Sequence, residues 1–242
     1  MNTVIIISAN SEWCAVKELY PNLEVQHYPF GEFADLTFEP LAGSGQWLRS
    51  ATLIHGGWGK ISAAATAQYA VDHFQPDLLI NLGTCGGFVG RIEAGTIILV
   101  QRTLVYDIIE QMGDGDEAIE HYSTEIDLSW IDDGRCIVDR VDNSRPKIVR
   151  GLLVSADRDI IVEDIPMLIE KFGAVAADWE SGAIAWVAKQ NNTRLLIFRG
   201  VTDLVGSDGG EAYGKIEIFH ERTKTVMCEL FQQLPTWLDG VE

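Results

Sequence analysis

The sequence predicts a single α/β domain in which a mixed, mostly parallel central sheet is flanked by helices. Short continuous apolar runs recur along the chain, as the buried strands of a parallel sheet require. Most runs end in a glycine-rich or polar turn, and helical segments separate them. The length of 242 residues suits one large domain over residues 1–242 and requires no second one.

Apolar runs and helical segments alternate in the first half of the chain. Residues 3–8 suit a central strand, and Asn10 or Ser11 can cap the helix that follows it. Pro21 stops this helix, because proline cannot continue one. The predicted elements are, in order, strand 3–8, a helix to Leu19, strand 51–55, helix 61–74 and strand 78–82.

The second half resumes this alternation around a polar, acidic stretch. We expect residues 111–145 to be a surface excursion rather than a linker between domains, since their pattern is weak. The predicted elements are, in order, strand 96–100, strand 147–154, helix 163–171, helix 181–188, strand 195–198 and a helix from Tyr213 to Leu234.

Two predicted strands run into glycine-rich segments, GGWGK at residues 56–60 and GTCGG at residues 83–87. We expect both to be turns, because glycine permits positive φ and close approach of the backbone to a ligand. Neither segment has the spacing of a Walker loop or of a dinucleotide-binding GxGxxG motif. The sequence therefore indicates no nicotinamide or nucleoside triphosphate cofactor, and tight packing turns are the structural alternative.

Net charge and cysteine spacing exclude several classes of partner. The formal charge of −18 disfavours nucleic acid and anionic membranes, and it favours a neutral or cationic small molecule. Solubility alone is an equally compatible reason for the acidity. The four cysteines lack paired spacing, so neither a metal site nor a disulfide framework is expected. The start MNTVIIIS lacks the features of a signal peptide, which predicts a cytoplasmic protein.

Acidic residues stand where predicted apolar elements end. Asp178 and Glu180 follow one apolar run, Asp203 follows strand 195–198, and Glu12 follows the first strand. Because ligands of α/β sheets bind outside the strand ends, one acid can hold a substrate while another donates a proton. The structural alternative is that these acids stabilise helix N-termini and cap turns. Further strand-end residues expected in the same cleft are Gly59, Thr84 and Ser155.

Five segments in sequence order carry a resemblance to a known family: GWGKISAAATAQ, PDLLINLGTCGG, VRGLLVSADRD, ADWESGAIAWVA and RGVTD. Together they resemble the nucleoside phosphorylase/nucleosidase superfamily, and within it the bacterial methylthioadenosine/S-adenosylhomocysteine nucleosidases. Residues 111–145 share little with that family. The resemblance implies a homodimer that hydrolyses the N-glycosidic bond of a purine nucleoside without a cofactor.

The resemblance also implies roles for individual residues. Asp203 matches the aspartate that protonates the purine N7, and a general acid must hold a proton when it acts. Glu180 matches the glutamate that accepts hydrogen bonds from the ribose hydroxyls. Glu12 matches the glutamate that activates water, although that glutamate often falls one place later, where Trp13 stands here. Residues that the resemblance assigns to the substrate pocket are Gly59, Thr84, Ile160, Asp178 and Tyr213, with Tyr213 stacking on the purine.

Two positions depart from the family's pattern. Trp179 replaces a methionine beside the ribose, so it either narrows the 5′ pocket or offers a stacking face. Asp159 replaces an aromatic residue beside the purine, and its carboxylate suits an exocyclic amine. Both changes make the base and the 5′ substituent open questions.

Three functions remain open at this point. Related phosphorylases hold phosphate with arginines near the first strand and before the central glycine segment, and neither place has one here. Water is therefore favoured as the nucleophile, since a buried phosphate without cationic partners is costly. The alternatives are a phosphate-dependent purine nucleoside phosphorylase and a catalytically weak nucleoside-binding protein.

Overall fold

The computed structural model describes residues 1–38, 49–131 and 147–239. Residues 132–145 of the predicted excursion, Cys136 among them, lie outside these residues. The described helices are α1 Asn10–Leu19, α2 Lys60–Phe74, α3 Gly115–His121, α4 Ile165–Phe172, α5 Ser181–Gln190 and α6 Ile216–Asp239, with a 3-10 turn at Val162–Asp164. The described strands are β1 Thr3–Ile6, β2 Gln26–Tyr28, β3 Gly31–Phe38, β4 Arg49–His55, β5 Leu78–Phe88, β6 Ile97–Val105, β7 Thr124–Glu125, β8 Ile148–Ser155, β9 Ala176–Asp178, β10 Leu195–Gly206 and β11 Gly209–Gly210.

All of these strands join one mixed sheet in the order β11-β10-β6-β8-β9-β5-β1-β4-β3-β2, with β7 paired to β6. Strands β4, β1, β5 and β10 form a continuous parallel block, in which β10 and β5 share the longest register. The pairing of β10 with β5 also closes the path β5-β9-β8-β6-β10 into a ring. The predicted α/β class with a helix-flanked central sheet is confirmed, whereas the extent of one domain over residues 1–242 stays a prediction.

Alternation along the strands builds a core on each face of the sheet. Ile5 of β1 faces a cluster that contains Val16 of α1 and Phe231 of α6. Its neighbour Ile6 faces the opposite cluster with Ala67 of α2 and Ala185 of α5. Successive strand residues point to opposite faces, so continuous apolar runs are needed to fill both clusters. Small residues on α2 and α5 let these helices pack closely.

Among the described helices, none is long and apolar enough to cross a membrane.

The prediction of a turn at residues 83–87 is wrong, because β5 continues through these glycines to Phe88. Close neighbours explain the glycines instead of a turn. A Cβ at Gly83 would lie 2.1 Å from Arg199 Nη1, and one at Gly87 would lie 2.6 Å from Ile92. Glycine therefore makes room on a buried strand for a large side chain beside it.

The expected turn at Asp203 is also absent, since β10 runs from Leu195 to Gly206. The pairing of β10 with β5 shifts register between Val201 and Asp203. Such a bulge re-aims a side chain without ending the strand. Asp203 therefore reaches the pocket described below from within a strand.

The start of α1 differs from the prediction as well. Neither Asn10 nor Ser11 caps the helix, because Ala9 occupies the N-cap position. The carboxylate of Glu12 accepts a hydrogen bond from Ala9 N at 3.1 Å instead. Glu12 therefore does stabilise the N-terminus of α1, as the structural alternative for this residue predicted.

Candidate active site

One large pocket collects the predicted site residues. Its volume is about 740 Å³. Nine of the ten predicted residues line it: Glu12, Thr84, Asp159, Ile160, Asp178, Trp179, Glu180, Asp203 and Tyr213. The tenth, Gly59, donates its backbone N–H to Glu180 Oε1 at 3.1 Å. Ser155 does not line the pocket, and its hydroxyl donates to Asp178 Oδ1 at 2.6 Å.

The helix α1 aims Glu12, and not Trp13, at the pocket. Glu12 is 1% exposed, and its Oε1 accepts hydrogen bonds from Thr84 N at 2.6 Å and Thr84 Oγ1 at 2.9 Å. Trp13 points away, where its ring stacks on His55 and its indole N–H donates to Glu32. One residue corresponds to about 100° around a helix, so only one of the two can face the strand ends. The structure places the carboxylate there.

Arg199 is a central residue of the site that the sequence analysis missed. It is fully buried in β10, and its guanidinium contacts three carboxylates at once. The nearest nitrogen–oxygen distances are 3.0 Å to Asp178, 3.6 Å to Glu12 and 3.6 Å to Glu180. Its other hydrogen bonds go to the neutral acceptors Ser181 Oγ, Asn81 Oδ1 and the Thr84 carbonyl. The available sequence signal was an arginine directly after the apolar run Leu195–Phe198.

Negative charge exceeds positive charge in this buried cluster. Glu12, Asp178 and Glu180 are all at least 94% buried, and Arg199 is the cation that contacts them. Burial raises the pKa of Glu180 to about 8, and repulsion from Asp178 and Glu12 adds to that rise. Attraction to Arg199 and the Gly59 N–H oppose the rise without cancelling it. Glu180 therefore holds a proton near neutral pH in the free protein.

This proton makes stability depend on pH. The pKa of Glu180 is about 8 in the folded protein and 4.5 as its ordinary value, so between these values the folded state binds a proton that the unfolded chain has lost. Its contribution to the free energy of unfolding is complete below the lower value and is lost as pH rises through the upper one. We expect wild-type protein to lose more stability than Glu180→Gln between about pH 5 and about pH 8, by on the order of a few kcal/mol.

Urea unfolding at the two pH values measures this difference. Glu170→Gln is the matched control, because Glu170 lies on α4 outside the pocket lining. Equal pH slopes for wild type and Glu180→Gln would contradict the buried proton.

Asp178 is occupied by protein donors. Its oxygens accept from Ser155 Oγ, from the backbone N–H of Glu180 and from both the N–H and the hydroxyl of Ser181. With Arg199 added, few lone pairs remain for a ligand. Asp178 also lines the pocket, so the substrate contact expected from the sequence stays a prediction, and its bond from the Glu180 N–H helps to orient the start of α5.

Asp203 keeps acceptor capacity on the pocket side. Its Oδ1 accepts from Thr202 Oγ1 at 2.8 Å, and its side chain is 6% exposed. Within the described ranges no lysine or arginine forms an ion pair with it. Asp203 can therefore form a further hydrogen bond with a ligand in the pocket.

Aromatic side chains and a backbone carbonyl form the pocket mouth. Tyr213 Oη donates to the Ile160 carbonyl at 3.1 Å, and burial raises the pKa of Tyr213 to about 12. A Cβ at Gly210 would lie 2.5 Å from the Tyr213 ring, so glycine lets the ring pack there. Trp179 meets Trp58 edge to face with ring centroids 5.3 Å apart. Asp159 is exposed beside this wall.

Metal-binding groups are absent from the described part of the chain, where no three His, Cys, Asp or Glu side chains are placed to hold an ion. Cys85 lines the pocket as a buried free thiol, and burial raises its pKa well above the usual range. Its Sγ lies 3.7 Å from the Gly200 carbonyl.

Comparisons with known proteins agree with the fold. A family model described as "Phosphorylase superfamily" matches residues 18–234. A 5′-methylthioadenosine/S-adenosylhomocysteine nucleosidase of Buchnera aphidicola is 30% identical over 156 residues, which are 62% of this chain and 66% of that protein, just under two thirds of its length. The enzyme of the same name from Listeria welshimeri is 26% identical over 77% of this chain and 83% of its own. The structure of the S. pneumoniae nucleosidase with a transition-state inhibitor superposes with a TM-score of 0.72 at 20% identity and covers 100% of both chains.

Proposed function

Because this chain belongs to the phosphorylase superfamily, we propose that it is a nucleosidase that hydrolyses the N-glycosidic bond of a purine nucleoside such as methylthioadenosine or S-adenosylhomocysteine. The observation that carries the proposal is the meeting of Glu12, Glu180 and Asp203 in one pocket. These groups supply a water-activating base, a ribose anchor and an acid for the leaving base, which are the functions that glycoside hydrolysis needs.

Asp203 and Glu180 act on the two halves of the substrate. Asp203 donates its proton to the purine as the glycosidic bond breaks, so the base leaves in a neutral form. Glu180 accepts hydrogen bonds from the ribose hydroxyls once its own proton is released. The surplus of buried carboxylates beside the ribose lowers the energy of the positive charge that develops on the sugar.

Glu12 and Thr84 act on water. Glu12 takes a proton from the attacking water, while the Thr84 hydroxyl and N–H hold the carboxylate in position. Arg199 balances part of the local charge and keeps Glu12 close to Glu180. No step requires a cofactor.

Water suits the site better than phosphate does. Arg199 already contacts three carboxylates and three neutral acceptors, so no part of its guanidinium is left for an anion. Among the described residues, the basic side chains that line the pocket are Arg158 beside Asp159, Lys215 near Tyr213, and His220 on α6. A phosphate dianion beside Glu12 and Glu180 would meet net negative charge.

The test of the proposed function is product analysis. Purified protein is incubated with methylthioadenosine, adenosylhomocysteine, adenosine and inosine, with and without phosphate, and products are separated by chromatography. Free base and free sugar without phosphate are expected. Base release only with phosphate, with ribose 1-phosphate as the sugar product, would overturn the hydrolase in favour of a phosphorylase. Nucleoside binding without release would favour a binding protein.

The role of Glu12 leads to a separate prediction. We expect Glu12→Gln to lower kcat by about 10²-fold or more with a small change in KM, because water loses its base. Trp13→Phe is the matched control, since Trp13 points away from the pocket, and it should keep most of kcat. Steady-state kinetics on both variants decides the assignment. An active Glu12→Gln enzyme beside an inactive Trp13→Phe enzyme would reverse it.

We also propose that the protein forms a homodimer. Apolar side chains stay exposed at the start of α2 and in the loop after β6, among them Ile61 at 85% and Met112 at 96%. Apolar groups of this kind favour burial between subunits. Light scattering after size exclusion measures the mass. A cytoplasmic location stays a prediction.

A further inference from the structure

A second ionic cluster, which we term the Lys60 cluster, consists of Lys60, Asp107 and Asp157. Lys60 Nζ contacts Asp107 Oδ1 and lies 3.6 Å from Asp157 Oδ2. Asp107 Oδ2 accepts from Asp157 N at 2.9 Å, and Asp157 Oδ1 accepts from Lys60 N at 2.7 Å. The side chains of Lys60 and Asp107 are only 15% and 17% exposed. The cluster therefore ties together the start of α2, the end of β6 and the end of β8.

Two of these segments lead directly to the pocket. Gly59 precedes Lys60 and donates its N–H to Glu180 Oε1 at 3.1 Å. Asp157 precedes residues 158–160, which line the pocket. Gly59 has φ +86°, and a Cβ there would lie 3.2 Å from Asp157 Oδ1. The contact between these two segments is thus close, and it is held by side chains that do not line the pocket themselves.

Helix stability does not explain a lysine at this position. A cation at a helix N-terminus is disfavoured by the helix dipole, and Lys60 is the first residue of α2. The carboxylate of Asp157 caps this end of α2 by accepting the Lys60 N–H, and it would do so without the ammonium group. The ammonium group contacts both carboxylates and offsets the repulsion between Asp107 and Asp157, which the Asp157 N–H also joins.

We propose that Lys60 is a positioning residue for the ribose anchor: by clamping Asp107 and Asp157 it fixes the Gly59 N–H against Glu180. This inference rests on the proposed function, since it assigns a consequence for nucleoside binding. The groups that face Glu180 directly are Gly59 N, Asp178, Glu12 and Arg199, and Lys60 acts through the first of them. A misplaced anchor weakens binding without removing any group that touches the substrate.

The test compares Lys60→Met with Lys60→Arg and wild type. We expect Lys60→Met to raise KM by about tenfold with a smaller change in kcat, because the hydrogen bond from the Gly59 N–H that positions Glu180 is weakened. The acidic limb of the kcat/KM profile should move to higher pH, since the Gly59 N–H lowers the pKa of Glu180. Lys60→Arg should restore both the KM and the position of the acidic limb, because arginine can bridge the same carboxylates.

Lys17→Met is the matched control, since it removes a lysine that pairs with Glu32 and does not line the pocket. It should leave KM and the pH profile unchanged. If Lys60→Met does not fold, Asp107→Asn weakens the same clamp and is measured in the same way.

Two results would overturn the inference. One is an unchanged KM and pH profile in Lys60→Met. The other is loss of activity that follows a lower melting temperature, without a shift in pH profile and without rescue by Lys60→Arg. A wild-type enzyme that releases no base would instead overturn the proposed function, so the two failures are distinguishable.

Discussion

Asp203→Asn should reduce turnover by about 10²–10⁴-fold while nucleoside binding persists. Asparagine keeps the shape of the side chain and its bond to Thr202, but it has no acidic proton to transfer to the leaving base. Without that proton the base must leave as an anion, which raises the barrier. Single-turnover kinetics gives the chemical step, and calorimetry gives the affinity.

Asp208→Asn is the control for this substitution, because Asp208 is exposed between β10 and β11 and does not line the pocket. Asp208→Asn should leave both the rate of the chemical step and the affinity for nucleoside at the wild-type level. An Asp203→Asn enzyme with full activity would remove Asp203 from the mechanism, even if the rest of the site were correct.

Arg199→Met should have the largest effect on stability, about 3–5 kcal/mol of the free energy of unfolding. Methionine fills similar space, so the expected loss comes from charge and not from a cavity. Glu12, Asp178 and Glu180 would remain buried without their cation. Urea unfolding at neutral pH measures the change.

Arg102→Met provides the comparison, because Arg102 pairs with Glu120 and Glu125, whose side chains are exposed. An exposed ion pair contributes only about 0–1 kcal/mol, so this variant should remain close to wild type. Equal losses of unfolding free energy in the two variants would mean that Arg199 does not stabilise the protein by neutralising the buried carboxylates around it.

The pattern of apolar runs was sufficient for the fold class, because buried strands leave a signal that depends only on neighbouring residues. The strand at residues 3–8 and the helix that ends at Leu19 were placed within a few residues of β1 and α1. Strand ends were harder to predict. Glycine at residues 83–87 indicates a turn by local preference, but the close approach of Arg199 decides the matter, and that contact joins residues far apart in sequence.

The site shows the same division between local and distant causes. Glu12, Glu180 and Asp203 could be selected from their positions after apolar runs, and all three line the pocket. Arg199 could not be selected, because the role of an arginine inside a strand depends on the acids that two other segments, α1 and residues 178–180, bring to it. The hydrogen bonds that Asp178 accepts from Ser155 and Ser181 could not be predicted either, because they depend on how distant segments pack together.

The closed ring of strands has a consequence for how ligands enter and leave. Both β5, which carries Thr84, and β10, which carries Asp203, have hydrogen-bonded neighbours on each side. Local unfolding of a sheet starts at unpaired edges, so we expect Thr84 and Asp203 to keep their positions during local unfolding. We expect ligands to enter and leave on the Tyr213 side of the mouth, where a phenol–carbonyl hydrogen bond joins two loops. Product escape can therefore be tuned there without disturbing the acid or the water site.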